Sequence, residues 1–215
     1  QRIAEGAFRH ILKTITRDMT EIEVAAELEY YMKRNGSQKP SFDTICVSGT
    51  ASSRPHGVPR NVRLESGFLT MDYGAMVNGY HSDMTRTIVI GKADEDMKKL
   101  YNTVLKAQLA AIDAITEGAK NADMDKVARD VIDNAGYKGY FSHSLGHGVG
   151  LEIHEQPGLH ARMGDATLKA GQIVTAEPGI YIEGKYGCRI EDMVLVTKGG
   201  KRDLTDCPKE LIEVC

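Results

Sequence analysis

The sequence predicts an α+β fold, with helices layered against one side of a curved antiparallel sheet. Three observations carry that expectation. Each half of the chain opens on two amphipathic helical segments, each closes on strand-like runs between glycine turns, and the two halves echo one another at low identity. The 215 residues, 41% hydrophobic and 27% charged, are enough to bury a sizeable core. A net charge of −3 supplies no basic patch, so neither nucleic acid nor a membrane surface is an expected partner. No apolar run reaches transmembrane length. The four cysteines are scattered, without a CxxC pair or framework spacing, which points to a reducing, cytoplasmic setting.

Ile3, Ala7, Ile11 and Ile15 recur every fourth residue, the stripe of a first helix over 1–16. Thr20 and Glu23 have capping-box spacing for a second helix that ends near Asn35-Gly36. Residues 42–48 read as a strand, and the Ser-, Pro- and Gly-rich loop after it carries His56. Residues 67–91 read as two strands about a tight Asn78-Gly79 turn. Asp94 caps a third helix that buries Met97, Leu100, Tyr101, Val104, Leu105 and Ile112 and ends at Gly118. A fourth helix spans 123–135 and stops at Gly136. A glycine- and histidine-rich stretch over 142–158 leads to a strand over 172–176, which runs into Glu177-Pro178-Gly179; a last strand over 190–197 carries Glu191. No linker interrupts the chain, and one domain over 1–215 is expected.

The repeat sharpens this reading. Ile15-Thr16 and Asn35-Gly36 find counterparts in Ile115-Thr116 and Ala135-Gly136, and His56-Gly57-Val58 in His147-Gly148-Val149. Asp72 and Asp83 correspond to Glu177 and Glu191. Each half is therefore helix, helix, glycine-histidine loop, then two strands bearing one carboxylate each. A pseudo-twofold axis would bring the four carboxylates to one point.

With a two-residue turn, position 74 faces position 83, which makes Asp72 and Asp83 diagonal neighbours on one face. Carboxylates held together repel unless they share a proton or a cation. Four carboxylates with the imidazole of His147 suit two divalent ions, with manganese first and cobalt, iron or zinc open. Such a pair supports metal-assisted hydrolysis. His56 and His154 are placed to donate to a substrate carbonyl and its tetrahedral intermediate, and Glu177 to relay a proton to a leaving amine. Arg189, two residues before Glu191 on the same strand face, is placed to orient the carboxylates. Each residue alone has an ordinary reading: Asp72 and Asp83 as solvated or turn residues, Glu177 as turn chemistry, Glu191 and Asp192 as an edge-strand charge pair. It is their recurrence in both halves that favours a site. His10, His81 and His160 read as ordinary histidines, and His143 draws attention because it shares the loop of His147.

These residues resemble the pita-bread metallopeptidases, which include methionine aminopeptidase, aminopeptidase P and prolidase. MDYG…NGYHSDMTRT is similar to that family's strand pair with two metal aspartates, LGHGVGLEIHEQP to its histidine motif, and TAEPGIYIEG and GCRIEDMVLVT to its two glutamate strands. The resemblance covers nearly the whole chain. It implies Asp72, Asp83, His147, Glu177 and Glu191 as metal ligands, His56 and His154 as substrate-contacting histidines, and His143 as another active-site histidine of the proline-specific branch; Arg189 is expected beside them on the substrate side. DMTRT, EPGIYIEG and GCRIED resemble the Xaa-Pro branch, which implies cleavage between an N-terminal residue and a following proline. The implied substrate is a peptide with proline at its second position, and the implied assembly is a homodimer of a longer protein that adds an N-terminal domain. A methionine aminopeptidase, a non-catalytic peptide-binding module and hydrolysis of a non-peptide substrate stay open alongside.

Overall fold

Each half of the chain begins with the helical pair that its apolar spacing announces. The computed structural model describes residues 1–215. Helix α1 (Arg2–Thr14) buries Ala4, Ala7, Phe8 and Ile11 on one face. Helix α2 (Glu21–Arg34) starts at a closed capping box: the Thr20 hydroxyl accepts from the Glu23 N–H at 3.2 Å, and the Glu23 carboxylate accepts from the Thr20 N–H at 2.7 Å. Short strand β1 (Lys39–Pro40) precedes β2 (Ile45–Ser48) and β3 (Gly67–Tyr73).

The hairpin follows as β4 (Ala75–Val77), β5 (Tyr80–His81) and β6 (Met84–Ile90). Asn78 and Gly79, with φ of 53° and 81°, form the mirror-image turn that two-residue hairpins require. Val77 pairs with Tyr80 and Tyr73 with Met84, the register expected from the turn. At Gly74 the ribbon bends, and its outer part leaves the main sheet to pair with β1. A Cβ at Gly74 would lie 1.8 Å from the Ser82 carbonyl oxygen, so the crossing admits only glycine.

The second half repeats the plan with α3 (Glu95–Ala114), α4 (Asn121–Ile132), β7 (Gly146–Gly148), β8 (Glu155–Leu159), β9 (Ile173–Ala176), β10 (Gly179–Ile182), β11 (Tyr186–Arg189), β12 (Asp192–Thr197), β13 (Gly200–Asp203) and β14 (Glu213–Val214). The first sheet runs β14-β6-β3-β2 and the second β13-β12-β9-β7-β8, so β2-β3-β6 corresponds to β7-β9-β12. Equivalent backbone bonds mark the repeat. Glu21 N–H donates to Val62 O and Asn121 N–H to Ala166 O; Leu64 N–H donates to Met19 O and Leu168 N–H to Ala119 O.

Three local expectations change. Helix α3 ends at Ala114, because Ile115 is already extended; Gly118 lies beyond it in the following turn, at a φ of 82°. Leu105 is only partly buried, and Thr103, Ala107, Gln108 and Ala111 complete the covered face. Helix α4 begins two residues early and runs into a wide turn at 133–137, where Gly136 takes a φ of 92°.

Strand alternation divides the core. Leu69, Met71 and Tyr73 of β3 face α1 and α2, while Phe68 joins Leu100, Val104 and the second sheet. The first sheet is thereby packed on both faces.

A candidate metal centre

The four carboxylates converge because four strand ends do. Asp72 lies near the end of β3 and Asp83 one residue before β6; Glu177 follows β9 and Glu191 precedes β12. His147 sits in β7 between two glycines. A Cβ at Gly146 would lie 2.1 Å from Thr175 O, and one at Gly148 would lie 2.6 Å from Gln156 O. Glycine at these positions lets β7 press against its neighbours and brings the imidazole among the acids.

His147 Nε2 lies 3.4 Å from Glu177 Oε1 and 3.6 Å from Asp83 Oδ2. Its Nδ1 is 3.0 Å from the carbonyl oxygen of Gly148. A carbonyl only accepts, so Nδ1 carries the proton and the Nε2 lone pair faces two carboxylates. Lone pair against anions is repulsive unless a proton or a cation lies between them. Ligand atoms of Asp83, His147 and Glu191 fall within 4.8 Å of one another. Asp72 Oδ1 is buried without any hydrogen-bond partner.

The electrostatics agree. Burial pushes the Asp83 carboxyl well up, with Asp72 and Glu177 adding to it. Glu191 is pushed well up by burial and then by Asp83, Glu177 and Asp72. Glu177 rises to about 8 through burial, with Arg189 opposing and Asp72 adding. Burial lowers His147, which keeps its imidazole neutral, as a ligand must be. An oxygen-rich, mutually repelling donor set with one imidazole and one buried, unpartnered carboxylate oxygen, Asp72 Oδ1, fits divalent metal.

These groups line a cleft of about 630 Å³ that also takes in His56, His143, His154 and Arg189. The structure thus brings all nine sequence-predicted site residues to one place. The His154 ring stands 4.3 Å from that of His147, while His56 is exposed on the loop before β3. His160, read from sequence as ordinary, also lines the cleft wall.

Residues 1–198 match the model of metallopeptidase family M24. The chain belongs to that family. It is 47% identical to the Xaa-Pro dipeptidase of Pyrococcus furiosus over 211 residues, 98% of this chain and 60% of that protein. Among solved structures it is similar to the Xaa-Pro dipeptidase from Bacillus anthracis, with a TM-score of 0.96 at 48% identity, covering 99% of this chain and 60% of that one. The X-Pro aminopeptidase from Thermotoga maritima MSB8 gives the same TM-score and coverage at 40% identity. The fold is the pita-bread α+β fold of these proteins. The chain spans about 60% of the length of the curated relatives it matches.

Around the M24 carboxylates runs a web that the sequence reading foresaw only in Arg189. Its Nη2 donates to Asp72 Oδ2 at 2.6 Å, Nε to Thr85 Oγ1 at 3.0 Å, and Nη1 to Tyr181 Oη at 2.7 Å and Pro55 O at 3.1 Å. Four of its five N–H groups are spent inside the protein, so it supports the acids and has little left for a substrate. The Tyr181 hydroxyl lies 2.9 Å from His143 Nε2, and His143 Nδ1 lies 2.8 Å from Ser144 O. The carbonyl again fixes the proton on Nδ1, so Tyr181 donates to Nε2. Burial, then the charge of Arg189, lowers His143 to about 3, and it is neutral at ordinary pH. Thr175 Oγ1 donates to Glu177 Oε1 at 3.1 Å. Tyr181, Thr85 and Thr175 lie within the motifs quoted above but carry no individual signal, because each sits in a strand run where its type is common.

Proposed function

We propose that this chain is the catalytic part of a two-metal peptidase that hydrolyses the bond between an N-terminal residue and a following proline. The observation that carries the reading is the deprotonated Nε2 of His147 facing Asp83 and Glu177 in a cleft that Asp72 and Glu191 also line. The proline preference is supported by the relatives, whose names are those of Xaa-Pro dipeptidases and an X-Pro aminopeptidase.

Asp72, Asp83, His147, Glu177 and Glu191 would hold the metal, with manganese(II) first and cobalt(II), zinc(II) or iron(II) as alternatives. A bound pair supplies an activated water and polarises the scissile carbonyl. The remaining steps belong to side chains. Glu177, its Oε1 held by Thr175, receives the water proton at Oε2 and passes it to the leaving nitrogen. His56 and His154 donate to the carbonyl oxygen as negative charge develops there. Neutral His143, locked by Tyr181 and Ser144, forms the wall against which the substrate is oriented. Four free cysteines suit a cytoplasmic setting.

The test is an assay of metal-stripped protein reloaded with Mn²⁺, Co²⁺ or Zn²⁺ against Ala-Pro, Ala-Pro-Ala and Met-Ala-Ser. Metal-dependent cleavage of the proline peptides alone is the expected result; Ala-Pro only marks a dipeptidase, and Ala-Pro-Ala an aminopeptidase. Cleavage of Met-Ala-Ser alone overturns the proline reading. Failure to bind metal overturns the centre itself.

A further inference from the structure

Thr85 is wholly buried on β6, two residues past Asp83 and directly opposite Asp72 of β3. Its hydroxyl has one proton and two neighbours: Glu191 Oε2 at 2.6 Å and Arg189 Nε at 3.0 Å. Arg189 Nε only donates, so it takes a lone pair of the hydroxyl and leaves the proton for Glu191. The order of donation is fixed: guanidinium to hydroxyl to carboxylate. The same guanidinium holds Asp72 directly at 2.6 Å. One cation thus sets a carboxylate of the first half by contact and a carboxylate of the second half through Thr85.

The backbone around this contact is already pinned. Glu191 N–H donates to Thr85 O at 3.1 Å, and Arg86 Nη1 donates to both Thr85 O and Glu191 O, at 3.0 and 2.7 Å. What is left free is rotation of the Glu191 side chain, and the Thr85 hydroxyl removes it. We propose that Thr85 is a positioning residue for Glu191, fixing the carboxylate plane in which this acid meets metal. The inference rests on the metal-centre reading above.

The experiment compares wild type with Thr85→Val and Thr85→Ser. Metal-free protein is titrated calorimetrically with Mn²⁺, the Co²⁺-loaded forms are compared by visible absorption, and thermal unfolding is recorded without metal. Loss of a hydrogen bond to a metal-holding residue commonly weakens metal affinity about 10- to 100-fold. The expected result is about tenfold weaker Mn²⁺ binding in Thr85→Val with altered Co²⁺ bands, and affinity near wild type in Thr85→Ser, which keeps the hydroxyl. Equal affinities in wild type and Thr85→Val overturn the inference, as does equal impairment in Val and Ser variants. Should Thr85→Val not fold, Thr85→Ala carries the same comparison. Wild type that takes no Mn²⁺ or Co²⁺ overturns the metal reading on which the inference stands, and is distinguishable because it requires no variant.

Discussion

Arg86→Met is the substitution that most directly tests how the two halves are held together. Arg86 is 1% exposed, among the largest fully buried side chains in the molecule. Its guanidinium donates to Pro208 O at 2.9 Å, Thr85 O at 3.0 Å, Glu191 O at 2.7 Å, Cys207 O at 3.1 Å and Asp192 Oδ1 at 2.8 Å. Methionine fills most of the volume but supplies none of these bonds. Asp192, itself fully buried, would keep Lys209 and the Gln108 amide. It is therefore not left as a lone charge, and the loss falls mainly on the backbone carbonyls that Arg86 serves. Removing one partner of a buried pair costs about 3–5 kcal/mol, and the remaining Lys209 contact places the expected value toward the lower end. For a chain of this size about 2–4 °C of melting temperature accompanies each kcal/mol, so a fall of about 6–12 °C is expected. Arg86→Lys, which keeps the charge but not the fork, should lie between. Thermal and urea unfolding of metal-free protein measure it. A loss below about 1 kcal/mol, the scale of a surface ion pair, would refute the argument that this cluster joins the halves.

Two further outcomes are expected. Gly146→Ala puts a methyl 2.1 Å from Thr175 O, a backbone atom that cannot swing away, so β7 must part from β9 and carry His147 with it. Overpacking of this kind costs about 1–3 kcal/mol, and calorimetry should show weaker Mn²⁺ binding alongside the lower melting point; unchanged values of both would contradict the close-approach account. His143 provides a pH signature. Its folded pKa lies near 3, below the ordinary 6.5, so between these values the unfolded chain binds the extra proton and stability falls as pH falls. The slope from this group is at most about 1.4 kcal/mol per pH unit, and unfolding of metal-free His143→Gln between pH 6.5 and 3 should show a shallower decline than wild type.

Much of the fold was legible because its cues are short-ranged. The Asn78-Gly79 turn set the register of the hairpin down to Tyr73 and Met84, and the Thr20–Glu23 capping box fixed the start of α2. The weak internal repeat paired Asp72 with Glu177 and Asp83 with Glu191, and these four do end on corresponding strands. Where cues were ambiguous the reading drifted. Gly118 looked like a helix stop, but Ile115 turns extended first because its side chain is fully buried in the core between α3 and the second sheet. Strands β1, β7, β8, β10, β11, β13 and β14 were missed because they are short, β7 being read as a glycine-histidine loop, and the pairing that defines them comes from elsewhere in the chain.

The residues that align the site were hidden for a different reason. Asp192 beside Glu191 suggested an edge-strand charge pair, and Arg86, inside the DMTRT run, carries no local signal of burial. Both are buried, and they pair with each other across 106 positions. Arg189 reaches Asp72 across 117 positions, and Thr85 reaches Glu191 across 106. All three contacts join one half of the repeat to the other. The proposed ligands are carried by local motifs, each with its own turn or glycine chemistry, whereas their mutual alignment depends on contacts between halves that no periodicity records. Weakening the junction should therefore disturb metal affinity even when every ligand is left in place, which is why Arg86 and Thr85 test the centre more sharply than removal of a ligand would. Loss of a ligand shows only that the ligand matters; loss at the junction shows that the two halves must meet.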